Sequence, residues 1–384
     1  MTNLKSEIPN LKSARARYIM IGGFLGAGKT TSVAALAQHL VRQGSRVGLI
    51  TNDQGSELVD TAMLRSKGFA TEEIPGGCFC CRFNSLVDAA GKLDETTRPD
   101  VFIAEPVGSC TDLVATVTYP LRRIYGDRFA IAPLSVLVDP IRAARIFGLA
   151  EGGRFSEKVL YIYRKQLEEA DLIVISKSEL LDAAALSRLR ERLANEFPHA
   201  EILTVSVREN RGIAEWFERL ATGEQQARTT MEVDYEIYAE GEALLGWLNA
   251  TVQLTHPAGF DSDAVLKALA SDLQQRLAPA EIAHLKMTLS PDDGLGDIAA
   301  INLVRSDFVP ELSLSLEAPV TGGQLIVNAR AEASPDALRD AVREAVTALP
   351  ARFPGLTARL DHLEHFRPGK PQPTHRDATP AAAQ

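Results

Sequence analysis

Tyr18-Ile19-Met20-Ile21-Gly22-Gly23-Phe24-Leu25-Gly26-Ala27-Gly28-Lys29-Thr30-Thr31 decides how the first half of the chain is read. Residues 18–22 form a short apolar run, glycines follow at once, and a helical pattern runs from 29 to 42. The order is strand, loop, helix. Residues 23–30 match G-x-x-x-x-G-K-[ST], placed where such a loop has to lie. Backbone N–H groups of Gly23, Gly26, Ala27 and Gly28 can converge on phosphates that also meet the positive end of the following helix. Lys29 is placed to reach the β- and γ-phosphates, the Thr30 hydroxyl to ligate Mg²⁺, and Thr31 to add a phosphate contact.

The pattern continues outward from this loop. Apolar runs without alternation recur at 47–51, 101–104, 134–138, 172–176 and 202–205, most of them beside helix-length periodic segments such as 184–196. Continuous apolar strands separated by helices predict a parallel sheet buried on both faces. The expectation is a doubly wound, mostly parallel α/β domain over 17–222, preceded by a polar leader at 1–16. A polar stretch at 223–231 reads as a linker. Beyond it, alternating segments at 232–238, 285–289, 298–304, 312–316 and 325–329, with helical stretches at 263–276 and 335–349, predict a smaller α+β domain over 232–366. From 367 onward Pro, Gly, Thr and Ala dominate, and the expectation is a disordered tail.

With 45% hydrophobic and 24% charged residues in 384, the composition is that of a soluble globular chain. The 41 Lys and Arg against 50 Asp and Glu leave a net charge of -9, opposite in sign to what nucleic acid binding wants. No stretch approaches the roughly 18 apolar residues that span a bilayer, so the reading is cytoplasmic, with no membrane partner. Three of the four cysteines fall in one tetrapeptide, which suits metal or thiol chemistry and not structural disulfides.

Two acids are candidates beside the phosphates. Residues 101–105 read as a buried strand ending in Glu105, whose carboxylate can hold Mg²⁺ through water or orient an attacking water. Gly108 follows, with an N–H to offer the γ-phosphate. Asp53, just past the second strand, supplies another acid on the same sheet edge, where ligands of open α/β sheets bind; a helix cap or turn residue is the alternative. Gly76-Gly77-Cys78-Phe79-Cys80-Cys81 offers three thiolates, ligands that favour Zn²⁺, and leaves a coordination position open for handing the ion on. A buried apolar patch or a redox-active pair are the competing readings. Cys110 either brings a fourth sulfur or is a small buried hydrophobe. His362 and His365, at helical spacing, read as solvent-facing on a charged helix.

Together the phosphate loop, Gly77-Cys78-Phe79-Cys80-Cys81, Glu105-x-x-Gly108, Val138-Asp139, Gln166 and Ala170-Asp171-Leu172-Ile173-Val174-Ile175-Ser176-Lys177 resemble the CobW family of P-loop GTPases. The hydrogenase and urease nickel-maturation GTPases and nitrile hydratase activators are relatives, and the likeness covers about 17–220. It implies a P-loop NTPase fold and GTP hydrolysis with Mg²⁺, using Lys29, Asp53 and Glu105. It further implies a divalent ion, Zn²⁺ foremost, on Cys78, Cys80 and Cys81 with Cys110 as a further candidate, delivery to a client metalloenzyme apoprotein, and a nucleotide-dependent homodimer. The family reads guanine with N-K-x-D, and here the segment is Ser176-Lys177-Ser178-Glu179. The Glu179 carboxylate can accept from guanine N1–H and N2–H₂, reaching a methylene further than Asp, whereas Ser176 lacks the amide that ties neighbouring loops. Residues 206–212 resemble the loop that closes over the base. The His-rich metal-gathering loop of many relatives is absent, which leaves the ion's identity open. Competing classes are a P-loop ATPase or kinase with a thiol cluster, and a nucleotide-gated metal regulator without a client.

Overall fold

In β1 (Ala16–Gly23) every residue but Arg17 is buried, and a computed structural model, describing residues 15–52, 59–226 and 228–380, places that strand mid-sheet. The other strands of the sheet are β2 (Val47–Asn52), β3 (Ala70–Ile74), β4 (Val101–Glu105), β5 (Phe129–Ile131), β6 (Ser135–Val138), β7 (Leu172–Ile175) and β8 (Glu201–Thr204). Their order is β3-β2-β4-β1-β6-β7-β8, with β5 also pairing with β1, and every pair is parallel. All residues of β2, β4, β6 and β7 are buried, as a sheet carrying helices on both faces requires. The helix Lys29–Arg42 after the phosphate loop buries Val33, Leu36, Ala37 and Leu40, an i, i+3, i+4, i+7 stripe. Each such leucine contributes roughly 1.5–3 kcal/mol on burial. Truncating Leu36 to Ala would cost about 2–5 kcal/mol.

The second sheet is antiparallel throughout: β9 (Gly246–Phe260), β10 (Ile282–Pro291), β11 (Ala299–Leu303), β12 (Glu311–Leu314), β13 (Val320–Ala331) and β14 (Thr357–Phe366), in the order β12-β11-β10-β13-β9-β14. Helices Ser262–Leu277 and Pro335–Arg352 pack on its apolar face. Asp261 and Ser334 cap them through Ala264 N–H at 3.0 Å and Ala337 N–H at 3.1 Å.

The division into units departs from the sequence expectation in four places. The described residues up to 52, 69–238 and 370–380 form one unit; 59–68 and 239–369 form the other. The helix Val59–Ser66 therefore goes with the second sheet, where Val59 N–H donates to Asn328 Oδ1 at 3.1 Å. Residues 232–238, expected as a strand, instead run into the helix Tyr235–Leu244. The apolar alternation there loses to a local cap, since Asp234 Oδ1 accepts from Glu236 N–H at 2.8 Å and Ile237 N–H at 3.2 Å. The stretch expected as a linker is pinned to the first unit by Gln225 N–H to Ile131 O at 2.9 Å and by Arg228 N–H to Tyr119 Oη at 2.9 Å. Finally, the tail expected to be disordered is held over 370–378 by hydrogen bonds to the first unit, which composition cannot reveal. His362 and His365 lie on β14, not on a helix.

Candidate nucleotide and metal site

β1 delivers the chain to the phosphate loop through Gly23, at φ +130°, where a Cβ would lie 2.4 Å from Leu137 O. Only glycine fits there. Ala27 N–H then donates to Phe24 O at 3.1 Å, and Ser32 N–H to Gly28 O at 3.1 Å starts the helix. Lys29, buried, curls back over the loop and donates from Nζ to Gly23 O at 2.9 Å. Thr31 is exposed on the first helical turn. β4 ends beside the loop, and Thr30 Oγ1–H donates to Glu105 Oε1 at 2.8 Å. A hydroxyl and a carboxylate converging in this way are hard oxygen donors of the kind Mg²⁺ takes. Gly108 packs directly on the loop, where a Cβ would meet Leu25 Cδ2 at 2.6 Å. Asp53 lies outside the described residues.

The Ser176-Lys177-Ser178-Glu179 segment lies on the same loop. Lys177, in the left-handed region at φ +48°, donates from Nζ to Gly26 O at 2.7 Å and pairs with Asp139 Oδ2 at 3.0 Å. Ser176 has no side-chain amide, yet its hydroxyl lies 2.7 Å from Ala27 O and 3.0 Å from Val138 O, so it ties the loops together by another route. Glu179 Oε2 is buried without a hydrogen-bond partner among the described residues. Ser178 N–H donates to Val205 O at 3.0 Å, which sets this turn beside the 206–212 loop, itself closed by Ser206 and Arg211 at 2.9 Å.

The cysteines form one group. Cys78 and Cys80 are buried and Cys81 is half-buried. Their sulfurs lie 2.8 Å (Cys78 to Cys80), 3.2 Å (Cys78 to Cys81) and 3.7 Å (Cys80 to Cys81) apart. Thiolates about 2.3 Å from one tetrahedral ion sit about 3.8 Å from one another, so a small spreading makes room for it. Cys110, also buried, brings its thiol within hydrogen-bonding reach of Cys78. The Cys110 thiol, then those of Cys80 and Cys81, hold the Cys78 thiol well below the usual range, while hydrogen bonding to Cys78 pushes Cys80 up and Cys81 up to about 11. The group lies just before the helix Phe83–Thr96, whose N-terminal end favours a thiolate over a thiol.

Two buried amides that the sequence reading did not assign a task join these parts. Asn52, the last residue of β2, donates from Nδ2 to Ile74 O at 2.9 Å and to Gly77 O, at the head of the cysteine motif. Gln166, on the helix Glu157–Glu169, donates from Nε2 to Gly108 O at 2.9 Å and to Cys110 O at 2.8 Å. Each NH₂ has two protons, so both bonds form at once. A polar residue closing an otherwise apolar strand was the one visible signal for Asn52. Nothing in the sequence placed Gln166 against Cys110.

Residues 17–204 match the family described as CobW/HypB/UreG, nucleotide-binding domain. A zinc chaperone CobW from a Sinorhizobium species is 30% identical over 205 residues, covering 46% of this chain and 54% of that protein. The zinc chaperone YeiR of Escherichia coli is 32% identical over 167 residues, covering 42% and 47%. The chain spans about half the length of these curated relatives. Among solved structures, the Zn(II)-bound YjiA GTPase from E. coli is 15% identical with a TM-score of 0.39, covering 88% of this chain and 99% of that one. No helix among the described residues is long and apolar enough to cross a membrane.

Proposed function

Residues 17–204 belong to the CobW/HypB/UreG nucleotide-binding family, and from that premise we propose that the chain is a GTP hydrolase carrying a divalent metal ion for delivery to a client metalloenzyme. Zn²⁺ is the first choice of ion, because three thiols and a fourth within reach are soft donors and the relatives are named zinc chaperones. The observation that carries the reading is the pair of amides: Asn52 and Gln166 each hold a backbone carbonyl of the thiol-bearing loops, and Gln166 also holds Gly108, which packs on the phosphate loop.

Lys29 neutralises the transferring phosphates, and Thr30 with Glu105 would hold Mg²⁺, which supplies charge neutralisation between the β- and γ-phosphates. Glu179 offers an unused buried carboxylate oxygen to the base, the acceptor guanine's N1–H and N2–H₂ need. A γ-phosphate that draws in the Gly108 loop would pull on Gln166, and through it on Cys110. The ion held by Cys78, Cys80 and Cys81 is then gripped differently before and after hydrolysis. A nucleotide-dependent homodimer and a client apoprotein complete the proposal, both carried over from the resemblance.

The test is zinc affinity in the nucleotide-free, GDP and GTP-analogue forms, with Co²⁺, Ni²⁺ and Fe²⁺ compared. Affinity that differs at least tenfold between GDP and GTP-analogue forms supports the coupling. Equal affinity in all three sinks it, and ATP outcompeting GTP moves the chain to the kinase or ATPase class.

A further inference from the structure

We infer that residues 370–378 are a releasable latch that forms one wall of the thiol site, fastened by the Arg376–Asp112 ion pair. Gln372 N–H donates to the Cys81 sulfur at 3.2 Å. Thr374 bonds the same loop twice, from its N–H to Cys80 O at 2.9 Å and from its hydroxyl to Cys81 O at 3.1 Å. The His375 ring meets Phe83, the first residue of the helix behind the motif, edge-on at 5.0 Å. Two of the three clustered cysteines are therefore touched by a segment nearly 300 positions away in the sequence, the Gln372–Cys81 separation being 291.

The fastening is made further along the segment. Arg376 Nε donates to Asp112 Oδ2 at 2.7 Å, and Arg376 Nη2 to Met231 O at 3.0 Å. The Asp112 side chain is wholly buried, stands at φ +64°, follows Cys110 by two residues, and also accepts from Tyr235 Oη at 2.6 Å. A buried carboxylate deprived of its cation is costly, so docking of the segment supplies the cation that Asp112 pairs with. Asp377 N–H to Ala115 O at 2.8 Å and the Arg123–Asp377 pair continue the attachment.

What holds the segment is also what lets it go. Among residues 370–378 only Pro371 is buried, and the Arg376 side chain keeps 35% of its surface in water. Apart from buried Pro371 and the His375–Phe83 contact the attachment is polar, the kind of contact that opens locally while the rest stays folded. Closed, the latch gives the Cys81 sulfur an N–H donor of the kind that steadies a metal-bound thiolate, and it covers Cys80 and Cys81. Open, it exposes them to reagent, ion or recipient.

The role in metal handling rests on the proposed thiol–metal site; the covering itself does not, so the experiment has two arms. The full-length Arg376→Glu variant, metal-free, is titrated with an aromatic disulfide reagent, and the zinc-loaded form is challenged with a chromogenic chelator. Thiol labelling and zinc removal at least tenfold faster than wild type, restored by Arg376→Lys, are the expected results. Gln372→Pro, which removes the N–H donor, is expected to speed zinc removal about threefold. Labelling within twofold of wild type in both Arg376→Glu and Gln372→Pro overturns the latch. Faster labelling in a protein that binds no zinc upholds the covering and overturns its role in metal handling.

Discussion

The phosphate loop and the thiol site sit in the same unit and are built on opposite plans. The first is contiguous: eight residues, 23–30, carry its geometry, and steric demands such as the 2.4 Å approach at Gly23 leave almost no freedom of sequence. The second is collected from Asn52, Cys78 to Cys81, Cys110, Gln166 and the 372–376 segment, none of which fixes the place of another by chain proximity. A contiguous site is rigid because its own backbone enforces it. A collected site holds only while several separate contacts are kept, and those contacts are what a bound nucleotide could change.

Four perturbations sharpen or break that contrast. Removing the phosphate-loop cation with Lys29→Ala should cost roughly 10³-fold in GTP turnover, as loss of a transition-state charge partner does. Nucleotide-free zinc affinity should stay within twofold of wild type; a parallel loss of both would mean the sites are not separable. Gly23→Ala, placing a methyl against Leu137 O, should destabilise the protein by about 3 kcal/mol in denaturant unfolding. A stability change under ~0.5 kcal/mol would show that the loop is softer than its geometry. Cys78→Ser should lower zinc affinity by about 30-fold. It should also remove the early step from a pH titration of thiolate absorbance in the metal-free protein, because Cys78 ionises below the ordinary thiol range and Cys81 only near 11. An unchanged titration would assign the charge elsewhere.

The last effect appears only as pH changes and is expected at Glu169, whose carboxyl is raised to about 8 by burial and then by the charge of Asp112. A raised folded-state value favours the protonated form. Stability is therefore fully present below the unfolded value of 4.5 and is lost as pH climbs through 8. Glu169→Gln should escape that loss, gaining on wild type by up to about 1 kcal/mol per pH unit across the window and then levelling. Parallel melting curves at pH 5 and pH 8 for the two proteins would contradict it.

How much was legible follows the same division. The buried strands β1, β2, β4, β6 and β7 announced themselves as unbroken apolar runs, because a doubly covered parallel strand has no polar face to show. β3, Ala-Thr-Glu-Glu-Ile at the sheet edge and only partly buried, gave no such run. Helices Ser262–Leu277 and Pro335–Arg352 were readable as helical stretches, whereas Tyr235–Leu244 was misread where Asp234 overrode the alternation. The same cause hid the 370–378 segment: its proline-rich composition describes a chain that makes no core, and its order comes from partners at Cys80, Cys81 and Asp112. The phosphate loop and the cysteine motif could be listed from sequence, but their connection through Asn52 and Gln166 could not.

The path of the chain between the two units has a practical corollary. It leaves the first unit between Asn52 and Val59, returns by Phe69, departs again after Tyr238 and comes home at Lys370. No single scission therefore yields two whole halves. A fragment ending near 222 would strand the helix Val59–Ser66 without the sheet it packs on, and one ending near 366 would keep both cores and uncover Cys81. The second unit is an insertion in two instalments, not an appendage, and shuffling it between relatives by one crossover would break both.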